Sequence, residues 1–266
     1  MTWPTEGDFP SLILLKRGPR NLVFVIRNTT DINSFLSILK ETLTLRAIRR
    51  IAARTKSQAS SRYWFLYRRC VITGTIAKRI VSQNIKDCNN EKINRIITKF
   101  SPSNFTNEAM QYGTKNEENG LNAFFNIFKK THINPRMSTT GLVLFEHFPF
   151  IGGSPDGLVH CDCCRETYLV EVKCPLRLAE NGISSWKILE YFDENQNLKK
   201  THNYYSQMTL YQGIMNIQTA YFVVYAKGEV IIRRIEFDKQ FFDFQVKNLS
   251  EYYMKYYLPT IIGTNI

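Results

Sequence analysis

The residues with the clearest chemical potential are Asp156, Glu171 and Lys173. They lie in two short stretches, Gly153-Ser154-Pro155-Asp156-Gly157-Leu158-Val159 and Tyr168-Leu169-Val170-Glu171-Val172-Lys173-Cys174-Pro175. Alternate side chains of a strand share a face, so Leu169, Glu171 and Lys173 point one way. Tyr168, Val170, Val172 and Cys174 then point the other way, into a core. Opposite charges at the end of such a buried strand are costly unless something binds them. With Asp156 on a strand preceding and pairing with this one, the result is an acid pair beside a lysine at one edge of a sheet. Mg²⁺ takes oxygen ligands and keeps several waters, so two carboxylates and a backbone carbonyl, that of Val172, suffice to hold it. Such an ion polarises a phosphoryl oxygen and acidifies water, and Lys173 can orient that water or neutralise charge on a phosphate. The competing reading is a salt-bridged hairpin with no chemistry.

A third carboxylate arrives from upstream. In Gly113-Thr114-Lys115-Asn116-Glu117-Glu118-Asn119-Gly120-Leu121, Glu117 precedes Leu121, Phe124 and Phe128 on one helical stripe. An acid at the head of an apolar stripe looks inward and needs a partner, whereas Glu118 falls off the stripe. Glu117 can also be read as a first-turn acid favoured by the helix dipole.

Positioning these groups requires alternating helices and strands, which predicts an α/β sandwich. Asp31 is an N-cap for a helical pattern carried by Ile32, Phe35, Leu36, Leu39, Leu43, Ile48 and Ile51. Leu22-Val23-Phe24-Val25-Ile26 reads as a strand or an appended segment. The polar stretch 55–61 leads through Trp64 into a second helical region, and a linker falls near Pro102. Helices are expected over 106–130, 184–192 and 202–217, and an aromatic-rich one over Phe241–Tyr257. A turn and strand zone is expected from Pro135 to Pro149, a β-hairpin over 150–175, and two strands over 219–237.

The net charge is +12, and residues 1–80 hold 15 Lys and Arg against 4 Asp and Glu, which is +11 of it. A basic flank beside a nearly neutral remainder points to a polyanion such as nucleic acid, or to a merely solvated basic surface. The chain is therefore read as a basic, partly helical segment over 1–53, with Arg46, Arg49, Arg50 and Arg54 along its later helix, and a catalytic domain over 54–266. No apolar run is long enough to span a bilayer. Met1–Glu6 lacks the start of a signal peptide, so an intracellular home, nuclear or cytoplasmic, is the expectation.

Four ordered blocks resemble the PD-(D/E)XK nucleases, specifically the branch of lambda exonuclease and the YqaJ-like viral recombinases, from about Arg54 to Leu258. Trp64-Phe65-Leu66-Tyr67-Arg68-Arg69-Cys70-Val71-Ile72-Thr73-Gly74-Thr75 resembles a segment whose Arg and final hydroxyl help hold a DNA 5′-phosphate. That role falls by resemblance to Arg68 and Thr75, and a guanidinium fork suits phosphate oxygens. Gly113–Ala123 resembles the family's helix bearing an active-site acid, here Glu117, with Gly120 where the family has Ala. The Asp156 and Glu171-Val172-Lys173 blocks match without substitution at the acids and lysine, and Ser154 is carried over as a phosphate contact. Tyr204-Tyr205-Ser206-Gln207-Met208 resembles the family's Y-x-x-Q motif, which implies Gln207 in the active site. The resemblance implies a restriction-endonuclease-like core, a central mixed β-sheet flanked by helices. It further implies a Mg²⁺-dependent nuclease (Mn²⁺ substituting) that degrades linear duplex DNA from a 5′ end in recombination. A single-strand annealing partner and a homotrimer come with it. An endonuclease on the same core and a catalytically silent DNA-binding module are the rival expectations.

His160-Cys161-Asp162-Cys163-Cys164 could ligate structural zinc, although C-x-C-C lacks the usual paired spacing and free loop thiols are the leading reading. A Cys174–His nucleophile pair has no histidine singled out as its base. The tyrosines at 252, 253, 256 and 257 could stack bases, but at helical spacing they are read as packing residues.

Overall fold

A computed structural model describes residues 21–82 and 107–263. Residues 1–20 of the basic segment, the linker near Pro102 and the expected helix start at 106 lie outside the described residues. The chain begins with helices α1 (Leu22–Arg27), α2 (Ile32–Thr42) and α3 (Leu45–Arg54). The apolar run at 22–26 is thus helical, not a strand. Asn21 decides this, because its side-chain oxygen accepts the Phe24 N–H at 3.0 Å and caps the first turn. Asp31 caps α2 in a reciprocal box with Ser34. The apolar pattern from 31 to 51 covers two helices, since the chain turns at Leu43 and Thr44 caps α3. Phe35, Leu39 and Ile51 are buried, whereas Ile32 and Leu36 face outward at 44% and 48% exposure. The four arginines at 46, 49, 50 and 54 are all exposed.

After a short 3₁₀ turn come α4 (Arg62–Arg68), β1 (Ile72–Thr73) and α5 (Gly74–Val81). Then follow α6 (Glu108–Phe128), β2 (Arg136–Ser138), β3 (Val143–Leu144), β4 (Ile151–Gly153), β5 (Gly157–His160) and β6 (Thr167–Lys173). The remainder is α7 (Leu176–Asn181), α8 (Asn203–Met215), β7 (Thr219–Ala226), β8 (Glu229–Glu236), α9 (Lys239–Tyr252) and α10 (Leu258–Gly263). The region expected as a helix at 184–192 is instead a 3₁₀ segment, Ile183–Ile188. There Gly182 sits at φ +82° and the Ser185 hydroxyl donates to the Asn181 carbonyl, which competes with a helical ladder. A π-helical turn, Tyr253–Tyr257, links α9 to α10.

Five strands form a mixed sheet in the order β2-β5-β6-β7-β8, with β6 and β7 parallel and the other pairs antiparallel. The expected hairpin at 150–175 resolves into β5–β6, while β4 leaves for a small second sheet, β1-β4-β3. Tyr168, Val170 and Val172 pack beneath Leu121, Phe124 and Phe128 of α6. Leu169 and Phe222 meet Tyr205 and Met208 of α8 on the opposite face. The small sheet is buried with α1–α3 and the C-terminal helices in a third cluster, in which the Phe150 and Tyr253 rings stack 4.1 Å apart.

Gly120 sets how closely α6 approaches the sheet. A Cβ there would stand 2.5 Å from Val172 Cγ1 and 3.0 Å from Tyr225 Cβ. Gly120→Ala is therefore expected to destabilise the fold by about 1–3 kcal/mol through overpacking, despite a gain of roughly 1 kcal/mol in helix propensity. Denaturant unfolding of the two proteins measures the difference.

Candidate active site

Strand β6 delivers Glu171 and Lys173 to its C-terminal end, and Asp156 stands in a bend directly before β5 rather than within a strand. The hairpin register brings Gly157 opposite Val170, so Asp156 reaches the acids' end of β6. The Val172 N–H donates to Asp156 Oδ2 at 2.7 Å, a contact no spacing argument identifies. Lys173 Nζ donates to Glu171 Oε1 at 2.6 Å and to the Val172 carbonyl at 3.1 Å, and lies 5.1 Å from the centre of the Tyr204 ring. From α8, Gln207 Nε2 donates to the same Glu171 oxygen at 2.5 Å and to the Tyr211 hydroxyl at 3.2 Å. Glu171 and Asp156 are 2% and 8% exposed. Glu117 of α6 is half-buried and faces Asp156, while Glu118 is exposed.

The electrostatics follow from this burial. Desolvation raises the Glu171 carboxyl to about 7, with a further push from Asp156 and a counter-pull from Lys173. Asp156 is raised well above its ordinary range, first by burial and then by Glu117, against the pull of Lys173. Burial acts to lower Lys173, but the Glu171 and Asp156 charges outweigh it and hold the ammonium protonated. Lys173 thus serves two acids, Glu171 and Asp156, with Glu117 beside the latter. Glu171 Oε2 is buried with no hydrogen-bond partner among the described residues. An orphaned buried carboxylate oxygen beside a second carboxylate and a backbone carbonyl is a fit donor set for a hard divalent cation.

A raised carboxyl pKa has a consequence for stability. Glu171 keeps its proton in the fold up to about 7 but releases it near 4.5 when unfolded. The folded chain therefore binds more protons than the unfolded one between those values, and stability falls as pH rises from 4.5 to 7. The Glu171 contribution is on the order of 3 kcal/mol. Denaturant melts in metal-free buffer are expected to show this loss, with Glu171→Gln flattening it.

The remaining expected residues gather in the same neighbourhood. Arg68, at the end of α4, lies with its guanidinium 3.9 Å from the centre of the Trp64 ring and donates to Thr73 Oγ1 at 3.4 Å. Burial lowers its pKa, while the nearby Tyr211 acts to raise it. Trp64 Nε1 donates to Ser154 Oγ at 2.9 Å, which joins the arginine's aromatic platform to the Asp156 loop. Thr75 is exposed on the first turn of α5, next to Gly74, where a Cβ would stand 2.7 Å from Gln207 Cγ. Trp64, Tyr204 and Tyr211 are therefore parts of the site that their residue types did not announce. Gly153 seats Tyr211, whose nearest ring carbon would lie 2.1 Å from a Cβ there. Gln58 is another such residue. Its Nε2 donates to the carbonyls of Pro155 at 3.0 Å and Thr140 at 3.1 Å, bracing the Asp156 loop from 97 residues away.

A mixed sheet flanked by helices matches the restriction-endonuclease-like PD-(D/E)XK core. The sequence model of the YqaJ-like viral recombinase domain matches residues 63–218, and the chain belongs to that family. No curated protein matches in sequence. Among solved structures, the alkaline exonuclease LHK-Exo from Laribacter hongkongensis is 23% identical and has a TM-score of 0.54 over 77% of this chain and 95% of that one. The same protein in complex with dAMP gives 0.55 over the same spans. The Shutoff and Exonuclease Protein of Kaposi's sarcoma-associated herpesvirus is 11% identical, with a TM-score of 0.57 over 94% of this chain and 80% of that one. A SOX–DNA complex is 10% identical, with a TM-score of 0.59 over 91% and 78%. Family and fold together make the chain a YqaJ-like viral recombinase domain on a restriction-endonuclease-like core. No helix among the described residues is long and apolar enough to cross a membrane.

Proposed function

We propose that the chain is a Mg²⁺-dependent deoxyribonuclease that degrades linear double-stranded DNA from a free 5′ end. The observation that carries this is the convergence of Asp156 and Glu171 on Lys173, with Glu117 against Asp156 and Glu171 Oε2 buried and unpartnered among the described residues. Asp156, Glu171, the Val172 carbonyl and Glu117 would hold the cation, which when bound polarises the phosphoryl group and acidifies water. Lys173 is held protonated, so it supplies N–H groups and positive charge to water and to the phosphate rather than taking a proton. Gln207 fixes the Glu171 carboxylate from α8. Arg68 on its Trp64 platform, with the hydroxyls of Ser154 and Thr75, forms the pocket for the 5′-phosphate.

The exposed arginines of α3 add non-specific phosphate contacts, so residues 1–53 serve as a DNA-holding segment ahead of a nuclease domain at 54–266. The same reading, which rests on family resemblance, takes Mn²⁺ as a substitute ion and a single-strand annealing protein as a partner in recombination. A homotrimer and a nuclear or cytoplasmic setting complete it. The structural neighbours, an alkaline exonuclease and a Shutoff and Exonuclease Protein, support an end-directed activity.

Digestion of 5′-phosphorylated linear duplex beside a covalently closed circle tests the end dependence. Loss of the linear duplex alone is expected, and Arg68→Ala should slow it by about 10- to 100-fold through weaker phosphate binding. Cutting of the closed circle at a similar rate would make the protein an endonuclease.

A further inference from the structure

The tip of the β5–β6 hairpin holds a second cluster of ligating side chains, at the end opposite the acids. Donor atoms of His132, Cys161 and Cys164 all lie within 4.8 Å of one another. Cys163 Sγ sits 3.4 Å from Cys161 Sγ and 3.8 Å from Cys164 Sγ. Two sulfurs bound to one tetrahedral zinc at about 2.3 Å stand roughly 3.8 Å apart, so these separations are those of a metal knuckle. A disulfide would need sulfurs at about 2.0 Å, and all three cysteines are free thiols.

His132 comes from outside the cysteine run, four residues beyond the end of α6. Its Nδ1 lies 2.9 Å from the Phe128 carbonyl, and its ring stacks 3.7 Å from the Phe128 ring. An Nδ1–H donated to a backbone carbonyl leaves Nε2 as the lone-pair nitrogen, the usual second contact of a metal-ligating histidine. The Ile133 N–H donates to Cys163 Sγ at 3.4 Å, a donor that favours a thiolate. Cys161 is buried while Cys163 and Cys164 are exposed, which leaves a solvent path for an entering ion.

We propose that His132, Cys161, Cys163 and Cys164 bind one structural Zn²⁺, which ties the hairpin tip to the C-terminal end of α6. Binding deprotonates the three thiols and releases their protons to solvent, with no change of oxidation state. The consequence reaches the acids. Helix α6 carries Glu117, and the two strands of the hairpin are flanked by Asp156 and carry Glu171. One metal clip at their far ends thus fixes the mutual register of all three carboxylates. The zinc is a positioning element and touches none of the reacting groups.

The test is zinc content of the full-length protein purified without chelator, with Co²⁺ titration of the stripped protein as a second readout. About one zinc per chain is expected, together with the visible spectrum of a tetrahedral, thiolate-rich cobalt site. Asp156→Asn should retain the metal in full, which separates this site from the acid cluster. Cys161→Ser should lose it, and His132→Ala should weaken cobalt binding by at least about 100-fold, the upper range for loss of even an outer-shell partner. If the serine variant fails to fold, the wild-type cobalt spectrum and the His132→Ala titration still decide. A wild-type chain that holds no stoichiometric zinc after exposure to Zn²⁺ and gives no tetrahedral cobalt spectrum overturns the proposal. So does a disulfide within the cluster in freshly purified protein.

Discussion

Glu171→Gln is expected to lower Mg²⁺-dependent cleavage of linear duplex by at least about 10³-fold while leaving DNA binding within about threefold of wild type. Glu171 offers one oxygen to Lys173 and Gln207 and keeps the other, Oε2, buried and without a partner among the described residues. Glutamine keeps the shape and a hydrogen bond but removes the charge a hard cation requires. DNA binding depends on arginines that the substitution does not touch, so activity and affinity should separate. Single-turnover cleavage and filter binding on the same protein measure both. A parallel fall in the two would instead mean that Glu171 holds the fold together.

Lys173→Met is the second large effect, a loss of about 10²- to 10³-fold in the chemical step. Methionine preserves much of the apolar stem but removes the cation that Glu171 and Asp156 hold protonated. The substitution also strips the acid cluster of its internal counter-charge, so the Glu171 carboxyl should rise above its value of about 7. The pH at which activity falls off on the acid side should therefore move upward in the variant. Pre-steady-state rates measured across pH would show both the lower plateau and the shifted limb. An unchanged limb with a lower plateau would confine Lys173 to charge stabilisation.

The acids and the lysine were legible in the sequence because a buried strand tolerates charge only for a reason, and β6 spells that contradiction out. Glu117 was legible from its place on an apolar helical stripe. Arg68, Ser154, Thr75 and Gln207 came only through family resemblance, since an arginine or glutamine on a helix has no intrinsic sign of a ligand. The run at 22–26, expected as a strand or an appended segment, is a helix because five apolar residues fit either element equally and the Asn21 cap decides between them. Periodicity from 31 to 51 also hid the turn at Leu43, because two successive helices can keep one apolar rhythm across a short break. His132 and Gln58 stayed invisible for a different reason. Each acts on residues 29 or more positions away, through contacts that only the tertiary fold creates. Gly120, small where the family has Ala, reads as a minor change in sequence, yet in the structure it is what lets α6 lie against Val172.

The proposed function rests on hydrolysis of DNA by the Asp156–Glu171 cluster with a divalent cation. The most direct measurement is digestion of 5′-phosphorylated linear duplex at pH 8 by wild type with and without Mg²⁺, beside Asp156→Asn. The predicted result is cleavage only with wild type and Mg²⁺, abolished by EDTA and by the substitution. Intact DNA with wild type in both Mg²⁺ and Mn²⁺, while the protein still binds the duplex, would contradict it and leave a DNA-binding module on a nuclease scaffold.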